Sequence, residues 1–220
     1  MEQLHIEAGL EQYLDGIQSK GSDRAAIRRC LTAFPANVRS RGLFFEGVLA
    51  VLKQRKGEAF ARDVLKRSGI GYRITHFGFL PHSDFYRLYF ATALAVYPHL
   101  PLGRGLERIA EDFYPAMFSQ SLAGKTLSLL LTKNPVTVMS RLIEAYGIAV
   151  EGNEHTFVPS QKGEHRWSCV VEPSDFYPET FQGIARGMLR TAADVEPSVR
   201  VVSFERRGSL HAYEFAISFL

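Results

Sequence analysis

RWSCVVEPSDFYPETFQGIARGMLRTAADVEPSVRVVSFERRGSLHAYEFAISFL, residues 166–220, is the stretch that decides the fold. It reads strand, helix, strand, strand. Trp167, Cys169 and Val171 fall at every second position, the alternation of a half-buried strand. After a proline-flanked turn, a helix begins near Glu179. Phe181, Ile184, Ala185, Met188, Leu189 and Ala192 recur at helical spacing and give it one apolar face. Val199 to Arg206 and His211 to Phe219 are β-rich runs separated by the turn Arg207-Gly208-Ser209. A one-faced helix set between strands, with a closing hairpin, predicts a small sheet covered by that helix. Gly183 and Gly187 lie four apart on its opposite side, beside Arg186, Arg190 and Asp194. Each glycine costs a helix interior about 1 kcal/mol against alanine. The pair therefore marks a close approach, either by another helix or by a partner subunit, and is the candidate interface.

Upstream the pattern changes to helices. Ile6, Leu10, Leu14 and Ile17 form one stripe, and Ala26, Ile27, Cys30, Leu31 and Phe34 another, ending at Pro35. Gly42 to Leu52 is apolar almost all round except for a narrow stripe through Glu46 and Lys53, which predicts a buried helix. Gly57 to Arg67 continues as an amphipathic helix. Ile70 to Leu80 reads as an aromatic loop. A helix with Phe85, Leu88, Tyr89, Ala93 and Val96 as its spine follows, and Pro101, Gly103 and Gly105 read as the turn before the next one. Helices over Leu122–Leu131 and Val136–Tyr146 and a strand over Ile148–Pro159 complete the chain. The expected organisation is peripheral helices over 1–35, a helical lobe over 36–147 and a sheet lobe over 148–220, sharing one core. The fold class is α+β: a helical lobe packed on a four-stranded antiparallel sheet with one long inserted helix.

The bulk composition is that of a water-soluble chain, with 46% hydrophobic and 22% charged residues in 220. No apolar run reaches the length of a membrane span, and acids at Glu2, Glu7, Glu11 and Asp15 replace the basic start of a signal peptide, so a cytoplasmic protein is expected. The net charge of +3 is unevenly spread: residues 20–73 hold 13 Lys and Arg against 4 Asp and Glu. That imbalance suits either solvated helix faces or an acidic partner, whether protein, phosphate-bearing ligand or anionic lipid. The basic residues are too dispersed for a nucleic-acid-binding arm. Cys30 and Cys169, far apart, read as small buried hydrophobes rather than a disulfide or metal knuckle.

Motifs for catalysis are weak. Ala123-Gly124-Lys125-Thr126 has the tail of a phosphate-binding loop but lacks its first glycine and preceding strand, and Gly103-Arg104-Gly105 lacks the third glycine of a dinucleotide fingerprint. The seven histidines show no zinc-ligand spacing. His76 and His82 flank the aromatic loop and could meet Asp84 as a minimal acid–base pair, the one arrangement that an enzyme reading would need. The stronger signal is aromatic: 16 Phe and 9 Tyr, many between Phe44 and Phe118. Such residues fill a core or line an apolar pocket. Phe44, Tyr72, Phe77, Phe79, Tyr86, Tyr89, Phe90 and Phe113 are the candidate pocket wall.

The segment Val38-Arg39-Ser40-Arg41-Gly42-Leu43-Phe44-Phe45-Glu46-Gly47 resembles the opening signature of an uncharacterised protein family numerous in myxobacteria, and the similarity runs from about Leu31 to Phe219. In element order the chain also resembles the superfamily that joins the haem-based nitric oxide sensor domain (H-NOX), the vinyl-reductase-type ligand-binding domain and the TRAPP vesicle-tethering subunits. That resemblance implies a scaffold that encloses an apolar ligand or presents surfaces for assembly. It does not bring a haem ligand with it. Leu100 to Glu154 lacks the proximal histidine, and the Tyr-x-Ser-x-Arg motif would fall on Tyr177-Pro178-Glu179-Thr180-Phe181, where Glu179 and Phe181 replace the Ser and the Arg. The cysteine-rich zinc site of the vinyl-reductase-type sensors is reduced to Cys169. The expectation is therefore a non-enzymatic sensor or adaptor without a cofactor, which binds a small apolar ligand or acyl chain and signals through a protein partner surface. The alternative is a solid-core interaction module, either a homodimer or part of a larger complex.

Overall fold

The computed structural model describes residues 2–19, 21–120, 133–152, 156–163, 166–174, 178–207 and 210–219; side chains at 2–8, 118–120, 142–148, 156–159, 161, 163, 167, 169–174, 206–207 and 210–211 lie outside that description. The chain begins with helices α1 (Glu2–Gly16) and α2 (Gly21–Ala33), then strand β1 (Arg39–Arg41). Helices α3 (Gly42–Lys56) and α4 (Glu58–Arg67) follow, then β2 (Phe79–Pro81), α5 (His82–Val96), α6 (Leu102–Gln120) and α7 (Pro135–Ala149). The last third holds β3 (Val150–Glu151), β4 (Thr156–Gly163), β5 (Arg166–Ser174), α8 (Pro178–Ala193), β6 (Ser198–Arg207) and β7 (Leu210–Ser218). It is a helix-rich α+β fold with two antiparallel sheets. Among the described residues no helix is long and apolar enough to cross a membrane. The expected helix over Leu122–Leu131 and the Ala123–Thr126 match lie outside the described residues.

The apolar run that predicts a buried helix becomes α3, with Phe45, Gly47, Val48, Ala50, Val51 and Leu52 all enclosed by α4, α5 and α6. Gly57, at φ 88°, ends it in a conformation that side chains disfavour. Tyr86, Leu88, Tyr89, Phe90 and Ala93 make α5 the centre of the same core. Gly103 and Gly105 do not form a turn. They lie in the first turns of α6, where a Cβ on Gly103 would stand 2.8 Å from the Glu179 carboxyl carbon. At Gly103 the role is close approach rather than chain reversal; a Cβ on Gly105 would make only ordinary contact with Ala93.

In the larger sheet the order is β4-β5-β7-β6, with Trp167 opposite Ile217, Cys169 opposite Phe215 and Val171 opposite Tyr213. Phe181 of α8 meets Phe215 with ring centroids 4.4 Å apart, so the apolar stripe of the helix lies on the sheet. Its glycine side lies on α6. Strand β4 runs past the expected strand end at Pro159 to Gly163, with a register shift between Gln161 and Gly163. The smaller sheet, in the order β2-β1-β3, was not anticipated, because strands of two or three residues carry no readable alternation. It joins the segment before α3 to the segment before α5 and to the end of α7. The strand expected over Ile148–Pro159 is consequently split into β3 and β4, and helix α7 extends to Ala149.

Candidate ligand cleft

The predicted aromatic wall separates into two groups. Tyr86, Tyr89, Phe90 and Phe113 are buried, and Phe44 packs on Phe85 and Phe113 with centroids 5.7 and 6.0 Å apart. Tyr86 touches Tyr89 and Phe90 at 6.1 and 5.8 Å, and the Tyr89 hydroxyl donates to the Leu106 carbonyl at 2.6 Å. Burial raises the Tyr89 pKa above the ordinary tyrosine range. These five are core. Tyr72 and Phe77 are instead 38% and 73% exposed, and half-buried Phe79 lies under the Arg41 guanidinium at 4.5 Å. The reason is tethering. The Gly42 and Leu43 N–H groups at the start of α3 donate to the carbonyls of Gly78 and His76, which pins loop 70–78 to the outside of the helix.

Gly183 and Gly187 are likewise not open to a partner. A Cβ on either would overlap the backbone carbonyl of Glu107 or Glu111, so α6 of the same chain occupies that face. Pro115, inside α6, lacks the N–H that would otherwise bond to the Glu111 carbonyl, and Gly187 packs on that carbonyl. Buried carboxylates flank the seam. Glu107 is held by Arg104 and Arg186, and Glu111 by Arg108 at 2.8 Å and Arg190 at 3.2 Å. The arginines beside the glycines thus neutralise α6 acids within the chain.

Among the described residues, an opening lies between α3 and α6. A cleft of about 240 Å³ is lined by Leu43, Glu46, Gly47, Leu49, Ala50 and Lys53 of α3 and by Met117 of α6. Positions 43, 46, 47, 50 and 53 share one face of a helix. Gly47 and Ala50 leave that face thin, and the Phe113 ring presses so closely on Gly47 that a Cβ there would overlap it. The floor is apolar and the rim charged. Glu46 Oε2 lies 2.6 Å from His76 Nδ1, and Lys53 Nζ lies 3.2 Å from Glu58. The stripe through Glu46 and Lys53 was readable in the sequence; the cleft between its two charges was not, because it depends on where α6 crosses. The expected acid–base pair does not assemble. His76 goes to Glu46, Asp84 accepts from the Tyr72 hydroxyl at 2.8 Å, and His82 Nδ1 meets Ser40 Oγ in a buried contact. Cys30 is buried, as expected of a small hydrophobe, and the Cys169 side chain lies outside the described residues. Among the described residues, no group of three or more His, Cys, Asp or Glu is placed to hold a metal ion.

A family model described as "Protein of unknown function (DUF2378)" matches residues 36–218. The chain belongs to this family. Among curated proteins none matches it in sequence. In structure, the DUF2378 chain is similar to an oxygen-binding H-NOX domain related to soluble guanylate cyclases, with a TM-score of 0.63 at 12% identity, covering 81% of this chain and 94% of that one. It is similar also to the Fe(II) unliganded H-NOX protein from K. algicida, with a TM-score of 0.56 at 13% identity and coverage of 82% and 96%. A point mutant of T. tengcongensis H-NOX gives 0.55 at 14% identity, with coverage of 81% and 97%. The fold is therefore H-NOX-like.

Haem, named for one of these neighbours, does not fit the described residues. An axial donor is needed beside a slot for the macrocycle. Here His76 is committed to Glu46, and His82 is wedged among Phe34, Phe85 and Tyr86 with ring centroids 5.0 to 6.0 Å away. At the positions expected for the haem-propionate motif, Glu179 packs against the first turn of α6 and Phe181 is in the core. The α6 and α8 backbones meet directly at both glycines, leaving no gap along that seam.

Proposed function

We propose that the protein is a non-catalytic sensor module that takes a small apolar molecule or acyl chain in the α3–α6 cleft and reports its presence through a partner surface. The carrying observation is the cleft: an apolar lining that includes Leu43, Leu49, Ala50 and Met117, with one carboxylate and one ammonium at the rim. The likeness to an oxygen-binding H-NOX domain supports a sensing role for the scaffold. At about 240 Å³ the cleft is smaller than drug-sized sites of roughly 300–1,000 Å³. It holds the equivalent of about eight waters at ~30 Å³ each, hence a molecule of about ten non-hydrogen atoms. Both rim charges are already paired within the chain, which favours binding over acid–base chemistry. Glu46 supplies the route outward, since it lines the cleft and also holds His76, whose ring meets Phe77 at 4.6 Å on the surface.

Octanoate is a suitable probe. At ~0.5 kcal/mol per non-hydrogen atom its ten atoms give about 5 kcal/mol, a Kd of about 0.2 mM. Titration calorimetry should find such binding in the wild type and a loss of at least about tenfold in Ala50→Phe, which fills the cleft. Native mass spectrometry of the purified protein should show an adduct that denaturation removes. Equal binding by both proteins, or binding by neither with no adduct, would refute the reading.

One observation favours the assembly alternative. Strand β6 is an edge of the larger sheet and exposes Val201, Val202 and Phe204. The irregularity between Val201 and Ser203 puts Val201 and Phe204 on one face, so an antiparallel second copy paired across it would set Arg200 opposite Glu205 twice and Val201 opposite Phe204 twice, a self-complementary register. On this reading Arg200→Glu and Glu205→Arg are each monomeric alone in light scattering but dimerise when mixed. If the wild type stays monomeric over the concentration range tested, this second reading is lost.

A further inference from the structure

Loop 70–78 carries its most exposed large apolar ring, Phe77, on a rigid support. Arg41 Nη1 donates to the Phe77 carbonyl at 3.2 Å, the Leu43 and Gly42 N–H groups donate to the carbonyls on either side at 3.0 and 2.8 Å, and the His76 ring meets Phe77 edge-on. Held out in water by its own backbone, the ring is free to meet a partner surface. Cations lie beside its backbone and the neighbouring rings. Arg41 stacks over Phe79, Arg39 donates to the Phe79 carbonyl at 3.0 Å and lies within electrostatic reach of Tyr72, and Arg73 is exposed beside Tyr72. Two nearby acids are engaged: Asp84 accepts from Tyr72 and pairs with Arg87 at 3.7 Å, and Glu46 holds His76. Glu151, opposite Arg39 in the β1–β3 register, is a further carboxylate on this side of the fold. Three arginines and three aromatic rings therefore share a face with a positive excess.

We propose that this face docks the protein on an anionic lipid bilayer, with Phe77 entering the headgroup layer and Arg39, Arg41 and Arg73 meeting lipid phosphates. Planar guanidinium groups match phosphate oxygens in pairs, and aromatic rings settle at the boundary between headgroups and acyl chains. The shape selects a bilayer over an acidic peptide. An extended peptide needs a groove or a free strand edge, and β2 offers three residues that end in Pro81. A projecting ring with cations on the neighbouring segments suits a broad charged surface. One ring and three cations give reversible attachment, sensitive to salt and lipid charge, rather than a permanent anchor.

The test is co-sedimentation of the full chain with phosphatidylcholine vesicles, with and without phosphatidylglycerol. Binding is expected only with phosphatidylglycerol and should weaken as salt rises. Phe77→Asp and Arg73→Glu, both at exposed positions, should each weaken it by about tenfold while the thermal melt stays unchanged. Phe77→Trp should retain binding, with an emission blue-shift on adding anionic vesicles. Several results would overturn the proposal: no binding to either vesicle, equal binding to both, or wild-type binding by the Asp and Glu variants. Binding to poly-glutamate without binding to vesicles would also overturn it and assign the face to a protein partner.

Discussion

Gly183→Ala tests the α6–α8 seam most directly, because two effects of opposite sign compete there. Alanine is favoured over glycine inside a helix by about 1 kcal/mol. Against that, the new Cβ would overlap the Glu107 carbonyl and stand 2.7 Å from the Ala110 Cβ. The first is backbone and cannot rotate away, so α8 must move off α6. Overpacking of this kind costs about 1–3 kcal/mol, and the Arg186 contact with buried Glu107 stretches as the helices part. The net expectation is a loss of about 1–2 kcal/mol, which for a chain of this size lowers Tm by roughly 2–8 °C. Gly9→Ala in α1 is the control, since a Cβ there meets nothing within 4 Å. It should stabilise by a few tenths to about 1 kcal/mol. Differential scanning calorimetry of both variants decides the matter. If Gly183→Ala stabilises as much as Gly9→Ala, the seam is not closed backbone to backbone and the argument from the glycines fails.

Further outcomes follow from the same geometry. Glu107→Ala leaves Arg186 half-buried beside an apolar seam and should destabilise by about 3 kcal/mol in urea unfolding, whereas removal of the exposed Glu196 should change little. Tyr89→Phe removes a buried hydrogen bond to Leu106 and should lower stability by about 1 kcal/mol. Burial holds Tyr13, Tyr89 and Tyr114 protonated above the ordinary tyrosine range. The unfolded chain releases those protons near pH 10 while the folded chain keeps them, so stability is complete below that point and falls as pH rises beyond it. Absorbance at the tyrosinate band should show part of the tyrosine titrating only as the fold is lost.

Legibility in the sequence follows the range of the interactions. The apolar stripe of α8 predicts its burial on the sheet, because six residues repeat the same signal and Phe181 indeed meets Phe215. The enclosure of α3 is equally redundant. Gly103 misleads, because a glycine in close contact looks the same in sequence as one in a turn; only the position of Glu179, 76 residues later, tells them apart. The short strands β1, β2 and β3 are set by pairing between distant segments, and Arg39-Ser40-Arg41 carries no local preference for it.

The candidate site was hidden for a related reason. Eight aromatic residues in one region suggest a common wall, but whether a ring faces inward depends on what its backbone is tied to. Tyr86, Tyr89 and Phe90 lie on α5, whose packing on α3 and α6 turns them inward. Tyr72, Phe77 and Phe79 flank a loop whose carbonyls satisfy the free N–H groups at the start of α3. Arg41, which begins that helix as its N-cap, supplies no side-chain cap, so the loop provides the acceptors instead. Meeting those backbone donors outside α3 keeps the rings on the surface and leaves the small residues Gly47 and Ala50, rather than the aromatics, to define the cleft. The chemistry of a helix start thus separates the α3–α6 cleft from the exposed aromatic rings of loop 70–78.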